Sequence, residues 1–555
     1  MPEELSGAEI VAQVLANSGT GPVFMLHGAH IDPIYRSCID RGIRIVSVRH
    51  EAAAGHAAEG YARASGGLGI ALITAGPGVT NIVTSMANAS LDRTPVLYLA
   101  GSAPDAEDET SALQSGIDQV ALARPVTKWA HRIKRTDEIS RLLAQAIRIA
   151  TTPPTGPIFV EIPGDVLAGV TEQRRATVPE RIILSRQLPP QPGDIDTAIQ
   201  LLSTAERPAI MAGGGICADG AASELQRFAQ ATSLPVFAQF DALGVIPSGD
   251  PLWVGTFWQL SQLPPPIQPD LVLALGVRFG WHAPGFRSEV AAGIIHVEVD
   301  PKEIGRPRPP CLAIVAGSEE TLRALNDRTE LAGQWPDRSA WIGQMRSAIR
   351  QSIEHASALP PGPHDGIHPC QVARTVSELA GPDAVIVGDG AFAKHWLDDV
   401  IACSRPGSYF THGSLGAMGI GLGLAMGVRL ADPGRPVLCV TGDGSVGFTI
   451  AEFDSMVRHD IPIVVVVMNN HSWGNPQLIS SRWGGTYPTV GTALGGARYA
   501  DVAVAFGGFG RTVTTQEELA PALRDAFASG LPSCIDVHVM LQGNPAPSMA
   551  ALHLA

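Results

Sequence analysis

The feature that most limits what this chain can fold into is its set of unbroken β-branched runs. Residues 461–468 read IPIVVVVM, with no polar alternation. A strand with one wet face alternates apolar and polar residues. A continuous run must be covered on both faces, which points to a parallel sheet flanked by helices. Runs of this kind recur at 43–48, 69–74, 95–99 and 157–162, then at 208–213, 271–276 and 294–299, and again at 384–388, 436–441 and 534–538. Helical patterns separate them, and proline-rich stretches around 178–193 and 359–369 divide the series into three blocks. The expected architecture is α/β: three doubly wound domains with mostly parallel sheets, at 1–180, 190–345 and 365–545. A chain of 555 residues exceeds what one core serves, so three domains suit its length.

Charge and cysteine content narrow the function. The chain carries 39 basic and 53 acidic residues, a formal charge of −14, which opposes binding to nucleic acid or to an anionic membrane. An anionic ligand would have to be held by local donors or a metal. The seven cysteines are dispersed without a C-x-x-C pair, so neither a disulfide scaffold nor structural zinc is expected, and a reducing, cytoplasmic setting is. The start, Met-Pro-Glu-Glu, shows no basic region followed by an apolar block, so no signal peptide is expected. Residues 406–428 are uncharged and long enough to span a bilayer. Their seven glycines, His412 and hydroxyls favour another α/β segment over a membrane helix.

The most informative stretch begins PVLCVT-GDGSVG and ends IPIVVVVM-NNHSWG. It predicts a strand ending at Thr441, a glycine-rich turn, an amphipathic helix to about Asp460, and a second strand ending at Met468. A right-handed βαβ crossover brings both strand ends to one edge of the sheet, so Asp443 and Asn470 meet there although 27 residues separate them. Open α/β sheets bind ligands at that edge. A carboxylate, an amide oxygen and the backbone carbonyl of Ser472 are hard ligands for Mg2+, with phosphate and water completing the octahedron. Gly442, Gly444 and Gly447 also match the dinucleotide pattern G-x-G-x-x-G. Asp443 would face a naked pyrophosphate there, and Asn469-Asn470 stands where a ribose-binding acid is expected, so that reading is disfavoured.

The sequence GDGS…NNHSWG resembles the cofactor motif of the thiamin-diphosphate-dependent enzyme superfamily, and the resemblance extends over the whole chain. Within it, the segments LHGAHIDPIY, RHEAAAGHAAEGYARA, LDRTPVLYLAGS, LQSGIDQVA and TGDGSVGFTIAEFD are most similar to the benzaldehyde lyases. The resemblance implies the thiamin-diphosphate-binding fold, with a pyrimidine-binding, a central and a diphosphate-binding domain. Thiamin diphosphate and Mg2+ are the implied cofactors. Glu51 is the implied activating acid, which hydrogen-bonds the aminopyrimidine ring nitrogen and so promotes loss of the thiazolium proton. Asp443, Asn470 and Ser472 are the implied metal ligands. Ala391, Phe392, Gly416, Met418, Gly442, Gly444, Ser445 and Gly474 would line the coenzyme, with Met418 as the apolar wedge beneath it and Gly416 offering its carbonyl to the pyrimidine amino group. His30 and Gln114 would handle substrate protons, and His27, Ala29, Gly164, Lys394 and Asn475 would line the substrate pocket.

The implied activity is a carbon–carbon lyase and carboligase that cleaves and forms 2-hydroxyketones from aldehydes. It would act as a homo-oligomer, expected to be a tetramer, with active sites between subunits. An acetolactate-synthase-like enzyme or 2-oxo acid decarboxylase is the alternative. A nucleotide-binding redox module, built on GGG at 213–215 and IIHVEVD, is an alternative of another class. Four positions depart from the benzaldehyde lyase pattern: Gly164 replaces a tryptophan, Lys394 a tyrosine, and Asn475-Pro476 an alanine and threonine. They predict a roomier, more polar and cationic pocket, suited to a polar or acidic substrate.

Overall fold

The computed structural model describes residues 4–107, 110–184, 188–280, 292–329, 333–358, 366–482 and 491–543. Residues 359–365 of the second proline-rich stretch, 185–187 of the first, and the outer ends of the expected first and third domains lie outside them. Three six-stranded sheets form, each parallel throughout. The first runs, edge to edge, Ile45–Ser47, Val23–Met25, Gly69–Ile73, Val96–Ser102, Ile158–Pro163 and Trp129–Arg132. The third runs Tyr409–Thr411, Val385–Gly388, Val437–Gly442, Val464–Asn469, Ser533–His538 and Phe509–Val513. Numbered within each unit, both follow the order 2-1-3-4-6-5. The central sheet is Trp253–Thr256, Val236–Ala238, Pro208–Ala212, Leu271–Leu275, Gly293–Glu298 and Leu312–Val315, the order 3-2-1-4-5-6. A short antiparallel pair, Glu4–Ser6 with Val170–Glu172, accompanies the first sheet.

The β-branched runs are buried on both faces, as their lack of alternation requires. Val464 to Val467 are all within the core, each contributing roughly 1.5–3 kcal/mol by leaving water. One contiguous apolar core joins the first and third units: Phe24, Ala53, Ala57 and Met86 pack in the same cluster as Leu424, Met426, Val437 and Val467. Where the helices Glu51–Ser65 and Gly421–Ala431 cross, glycines bring backbone against backbone. A Cβ at Gly427 would overlap the carbonyl oxygen of Ala57, and one at Gly60 that of Leu424. The alanine- and glycine-rich character of both helices is therefore a packing requirement.

Two local expectations are corrected. The single helix to Asp460 is instead a short helix Asp443–Val446, a turn, and a helix Glu452–Arg458. Thr449 in that turn donates its hydroxyl to the carbonyl of Gly419 (3.1 Å), so the chain bends towards a neighbouring loop where a helix would continue. Both strands of this βαβ unit extend one residue further than expected, to Gly442 and Asn469. The uncharged run at 406–428 holds the strand Tyr409–Thr411, a loop and the start of the helix Gly421–Ala431. Among the described residues no helix is long and apolar enough to cross a membrane, and all seven cysteines are free.

Candidate active site

In the order 2-1-3-4-6-5, strand direction of travel reverses between the first and third strands, and ligands bind beyond the carboxyl ends at such a point. In the third unit those ends are Gly388 and Gly442. Beyond Gly442, Asp443 is 3% exposed, and its Oδ2 accepts the Ser472 amide at 3.0 Å. The Asn470 Oδ1 accepts the same amide at 3.0 Å and the Ser472 hydroxyl at 2.9 Å. Two oxygens from different strands thus converge on one residue, as the βαβ geometry predicted. Ser472 joins them as a donor, through its amide and hydroxyl. A left-handed turn at His471 (φ 58°) lies between Asn470 and Ser472, and the His471 N–H donates to Asn469 Oδ1 at 3.1 Å.

Burial pushes the Asp443 carboxyl up to about 7, which marks a site where a negative charge lacks compensation within the chain. Among the described residues no group of three or more His, Cys, Asp or Glu is placed to hold a metal ion. One carboxylate with an amide oxygen is a sparse donor set. It fits Mg2+ whose remaining positions are taken by a ligand's phosphates and water, and it does not fit an all-protein cage.

The expected coenzyme residues gather around this pair. A Cβ at Gly474 would come 2.7 Å from Asn470 Nδ2 and 3.0 Å from the Phe392 ring, and one at Gly444 would press into the Trp473 ring at 2.6 Å. Gly390, facing Ser445, closes the other side, where a Cβ would meet the Ser445 hydroxyl at 2.5 Å. Ala391 sits at the start of the helix Phe392–Val400. Gly416 adopts φ +69°, and Met418 is 42% exposed in the single chain. Sequence reasoning missed Asp389. It is fully buried, burial raises its carboxyl above the usual range, and it binds the amides of Gly390 (2.7 Å) and Gly419 (3.1 Å) and the Thr441 hydroxyl (3.0 Å). It therefore ties the Met418 loop to the sheet edge. A second Gly-Asp-Gly at 388–390 was the available signal.

In the first unit, Glu51 opens the helix Glu51–Ser65 and is 6% exposed. Its Oε2 accepts the Asn81 amide at 3.0 Å, while Gly78, without a side chain, leaves room at Oε1. His30 and Gln114 meet through Thr74: the His30 Nδ1 lies 3.2 Å from the Thr74 hydroxyl, which donates to Gln114 Oε1 at 3.3 Å. Asn81 and Thr74 carried no sequence signal, being lone polar residues in apolar surroundings. Gln114 holds a left-handed backbone (φ 62°), and the Gly76 beside it is fixed by Gln119, whose Oε1 accepts its amide at 2.7 Å. A non-glycine residue in this conformation persists where neighbours over-determine it. His27 is not brought to this chain of contacts. It pairs with Asp32 at 3.1 Å and lies edge-on to Tyr35, while the adjacent Ala29 is exposed. Gly164 begins a short helix with the Ser102 carbonyl 3.6 Å from where a Cβ would stand, so space there is ordinary. Asn475 is half-buried in the helix Gly474–Arg482.

Lys394 requires a correction. It is fully buried, with Nζ 2.5 Å from Asp398 Oδ2 and 3.7 Å above the Phe240 ring. A cation already neutralised and enclosed does not make the pocket cationic. The glycines of the middle block also have a packing explanation: a Cβ at Gly215 would come 2.6 Å from Gly276 Cα. A cavity of about 440 Å3 lies between the units, beside Asp92, Gly215, Asp241 and Arg278, and none of Glu51, His30, Gln114, Asp443 and Asn470 lines it. The central strand order 3-2-1-4-5-6 is shared with dinucleotide-binding folds, which is a likeness of fold alone.

Comparison with known proteins bears on this geometry directly. Residues 5–122, 195–325 and 389–537 match, in that order, the models of the thiamine pyrophosphate enzyme N-terminal TPP-binding, central and C-terminal TPP-binding domains. The chain is 32% identical over 544 residues to a probable acetolactate synthase of Mycobacterium bovis, covering 96% of each chain. The chain belongs to the thiamine pyrophosphate enzyme family. It is also 29% identical to a probable acetolactate synthase large subunit of Methanocaldococcus jannaschii (96% and 92% covered) and 31% identical to that of Haemophilus influenzae (95% and 93%). These relatives are named acetolactate synthases, so the expected likeness to benzaldehyde lyases in particular is not supported; the shared cofactor segments do not distinguish the two.

Proposed function

We propose that the protein is a Mg2+- and thiamin-diphosphate-dependent carboligase that forms 2-hydroxyketones from two carbonyl compounds, with a 2-oxo acid as donor in the manner of an acetolactate synthase. The observation that carries it is the convergence of Asp443 and Asn470 on Ser472 at the switch edge of the third sheet, in a chain whose relatives along its whole length are named acetolactate synthases. On this reading residues 1–180 take the pyrimidine half, 190–345 form the central unit, and 365–545 hold the diphosphate and metal.

When bound, thiamin diphosphate supplies a nucleophilic carbon and an electron sink for making and breaking carbon–carbon bonds. Asp443, Asn470 and Ser472 would hold the metal. Gly442, Gly444, Ser445, Gly474, Ala391, Phe392, Gly416 and Met418 would surround the coenzyme. Asn81 occupies Glu51 Oε2, so Oε1 is the oxygen left to hold a proton towards the pyrimidine ring. Because the Thr74 hydroxyl donates to Gln114, it accepts from His30 Nδ1–H, which leaves Nε2 of the neutral ring as a base for a substrate hydroxyl. The exposed apolar residues Met418, Leu415 and Phe448, with Leu113 and Ile117, support a homo-oligomer whose sites lie between copies.

A lyase and carboligase using aldehydes, as in benzaldehyde lyases, is the second reading. The His30–Thr74–Gln114 chain favours it, since cleavage of a hydroxyketone needs a base at the hydroxyl. One experiment tests both. The protein is stripped with chelator, Mg2+ and thiamin diphosphate are restored singly and together, and acetolactate and CO2 from pyruvate are followed beside benzaldehyde from benzoin. Activity that needs both additions and is lost in Glu51→Gln is expected. Activity without either addition would overturn the proposal, and the product decides the donor.

A further inference from the structure

The segment that delivers Glu51 is gripped by the third unit of the same chain. Ile45–Ser47 is an edge strand, and a helix end covers it. The Ser47 amide donates to His459 Nε2 at 2.9 Å, Arg458 donates to the Ser47 hydroxyl at 2.6 Å, and Arg44 to the His459 carbonyl at 3.0 Å. At the centre of the grip stands Glu452, 1% exposed, the first residue of the helix Glu452–Arg458. Its Oε1 accepts the amides of Arg49 (3.1 Å) and His50 (3.1 Å), and its Oε2 accepts the Arg49 amide (3.2 Å) and the Ser455 hydroxyl (2.6 Å).

Those two amides immediately precede the helix Glu51–Ser65, so no helical carbonyl serves them, and a buried amide without an acceptor costs free energy. One carboxylate satisfies both and so sets the angle at which the chain enters the helix. His50 completes the entry by capping: its Nδ1 accepts the Ala52 amide at 3.2 Å. Glu51 is the next residue along, with its direction inherited from that entry. Glu452 also lies nine residues after Asp443, on the element that follows the Gly-Asp-Gly turn.

We propose that Glu452 is a positioning residue: by fixing the peptides of Arg49 and His50 it aims the Glu51 carboxyl, and it joins the segment bearing the metal-site acid to the segment bearing the activating acid. This rests on the thiamin-diphosphate reading of Glu51. The helix packing at Gly60 and Gly427 holds the body of the helix and Gly423 meets Ala53 in its first turn, while Glu452 fixes the two peptides by which the chain enters that turn.

The test compares Glu452→Ala, Glu452→Asp and Glu452→Gln with the unaltered protein by three measurements. They are calorimetric binding of thiamin diphosphate with Mg2+, deuterium exchange at the thiazolium C2–H of the bound coenzyme by quench and NMR, and amide exchange at Arg49 and His50 in coenzyme-free protein. In Glu452→Ala, C2–H exchange should slow by about tenfold or more while coenzyme Kd moves less than about threefold, and protection at Arg49 and His50 should fall by about tenfold. Glu452→Gln keeps an amide oxygen for both N–H groups and should return C2–H exchange to within about threefold. If Glu452→Ala does not fold, Glu452→Asp, one methylene short, carries the same expectation. Wild-type C2–H exchange in folded Glu452→Ala or Glu452→Asp would overturn the proposal, as would equal loss in Glu452→Gln. If the unaltered protein binds no thiamin diphosphate, the functional reading fails instead, and amide protection alone still decides whether Glu452 holds the entry.

Discussion

Replacing Lys394 by methionine separates a structural cation from a substrate-binding one. The ammonium lies 2.5 Å from Asp398, whose second oxygen accepts the Tyr409 hydroxyl at 2.7 Å, with Phe240 beneath. Burial pushes the lysine below and the aspartic acid above their usual values, and their mutual attraction opposes both shifts. Methionine fills the stem's volume and leaves Asp398 buried with only a hydroxyl. Breaking such a pair costs about 3–5 kcal/mol, which lowers the melting temperature by on the order of 10 °C. The sign with pH follows from Asp398. Its folded-state value is raised above the ordinary 3.8, so the cost is absent at low pH and grows as pH rises through and above that value. The deficit should be smaller at about pH 5 than at about pH 8. Adding Asp398→Leu should recover most of the loss, apart from about 1 kcal/mol for the Tyr409 hydroxyl left without its acceptor. Urea unfolding of the four proteins of this cycle at both pH values measures each quantity. A Lys394→Met protein as stable as the original at the higher pH, or a double variant no better than the single, would refute the reasoning. Preference between carboxylated and neutral carbonyl substrates should not change.

Three further outcomes are expected. Asp443→Asn should abolish the thermal stabilisation given by Mg2+ with thiamin diphosphate together, a loss of about 3 kcal/mol at 100-fold excess over Kd, read by a melting-temperature titration. Burial and the nearby Glu59, opposed by Arg63 and Arg278, push Asp92 up to about 7 from 3.8, so its contribution to stability is lost as pH rises between those values. Asp92→Asn should therefore gain on the original protein between about pH 5 and pH 8, by at most about 3 kcal/mol, in unfolding measured at each pH. Thr74→Val should uncouple His30 from Gln114 and lower kcat by about tenfold or more, with thiamin diphosphate affinity kept.

Sequence carried some of this architecture and not the rest, for physical reasons. Strands buried on both faces announce themselves, so Val464–Asn469 and Val437–Gly442 were readable within three residues. The edge strands Trp129–Arg132 and Phe509–Val513 were not, because a strand half-covered by solvent carries arginine and histidine without penalty. Asp443 and Asn470 could be paired in advance because a right-handed crossover dictates which strand ends coincide. Thr74, Asn81 and Glu452 could not, since their partners arrive from other strands or another unit. Lys394 was legible as unusual, but its surroundings were not: sequence does not reveal that its ammonium lies over the ring of Phe240, already paired with a carboxylate one helical turn away.

The glycine contacts between the helices Glu51–Ser65 and Gly421–Ala431 have a mechanical consequence. Side chains can swivel to absorb a displacement, but two main chains in van der Waals register cannot slide without parting. That crossing therefore acts as a dowel through the first and third sheets. Domain motion, where the enzyme uses it, must pivot about this pin or be confined to the central sheet.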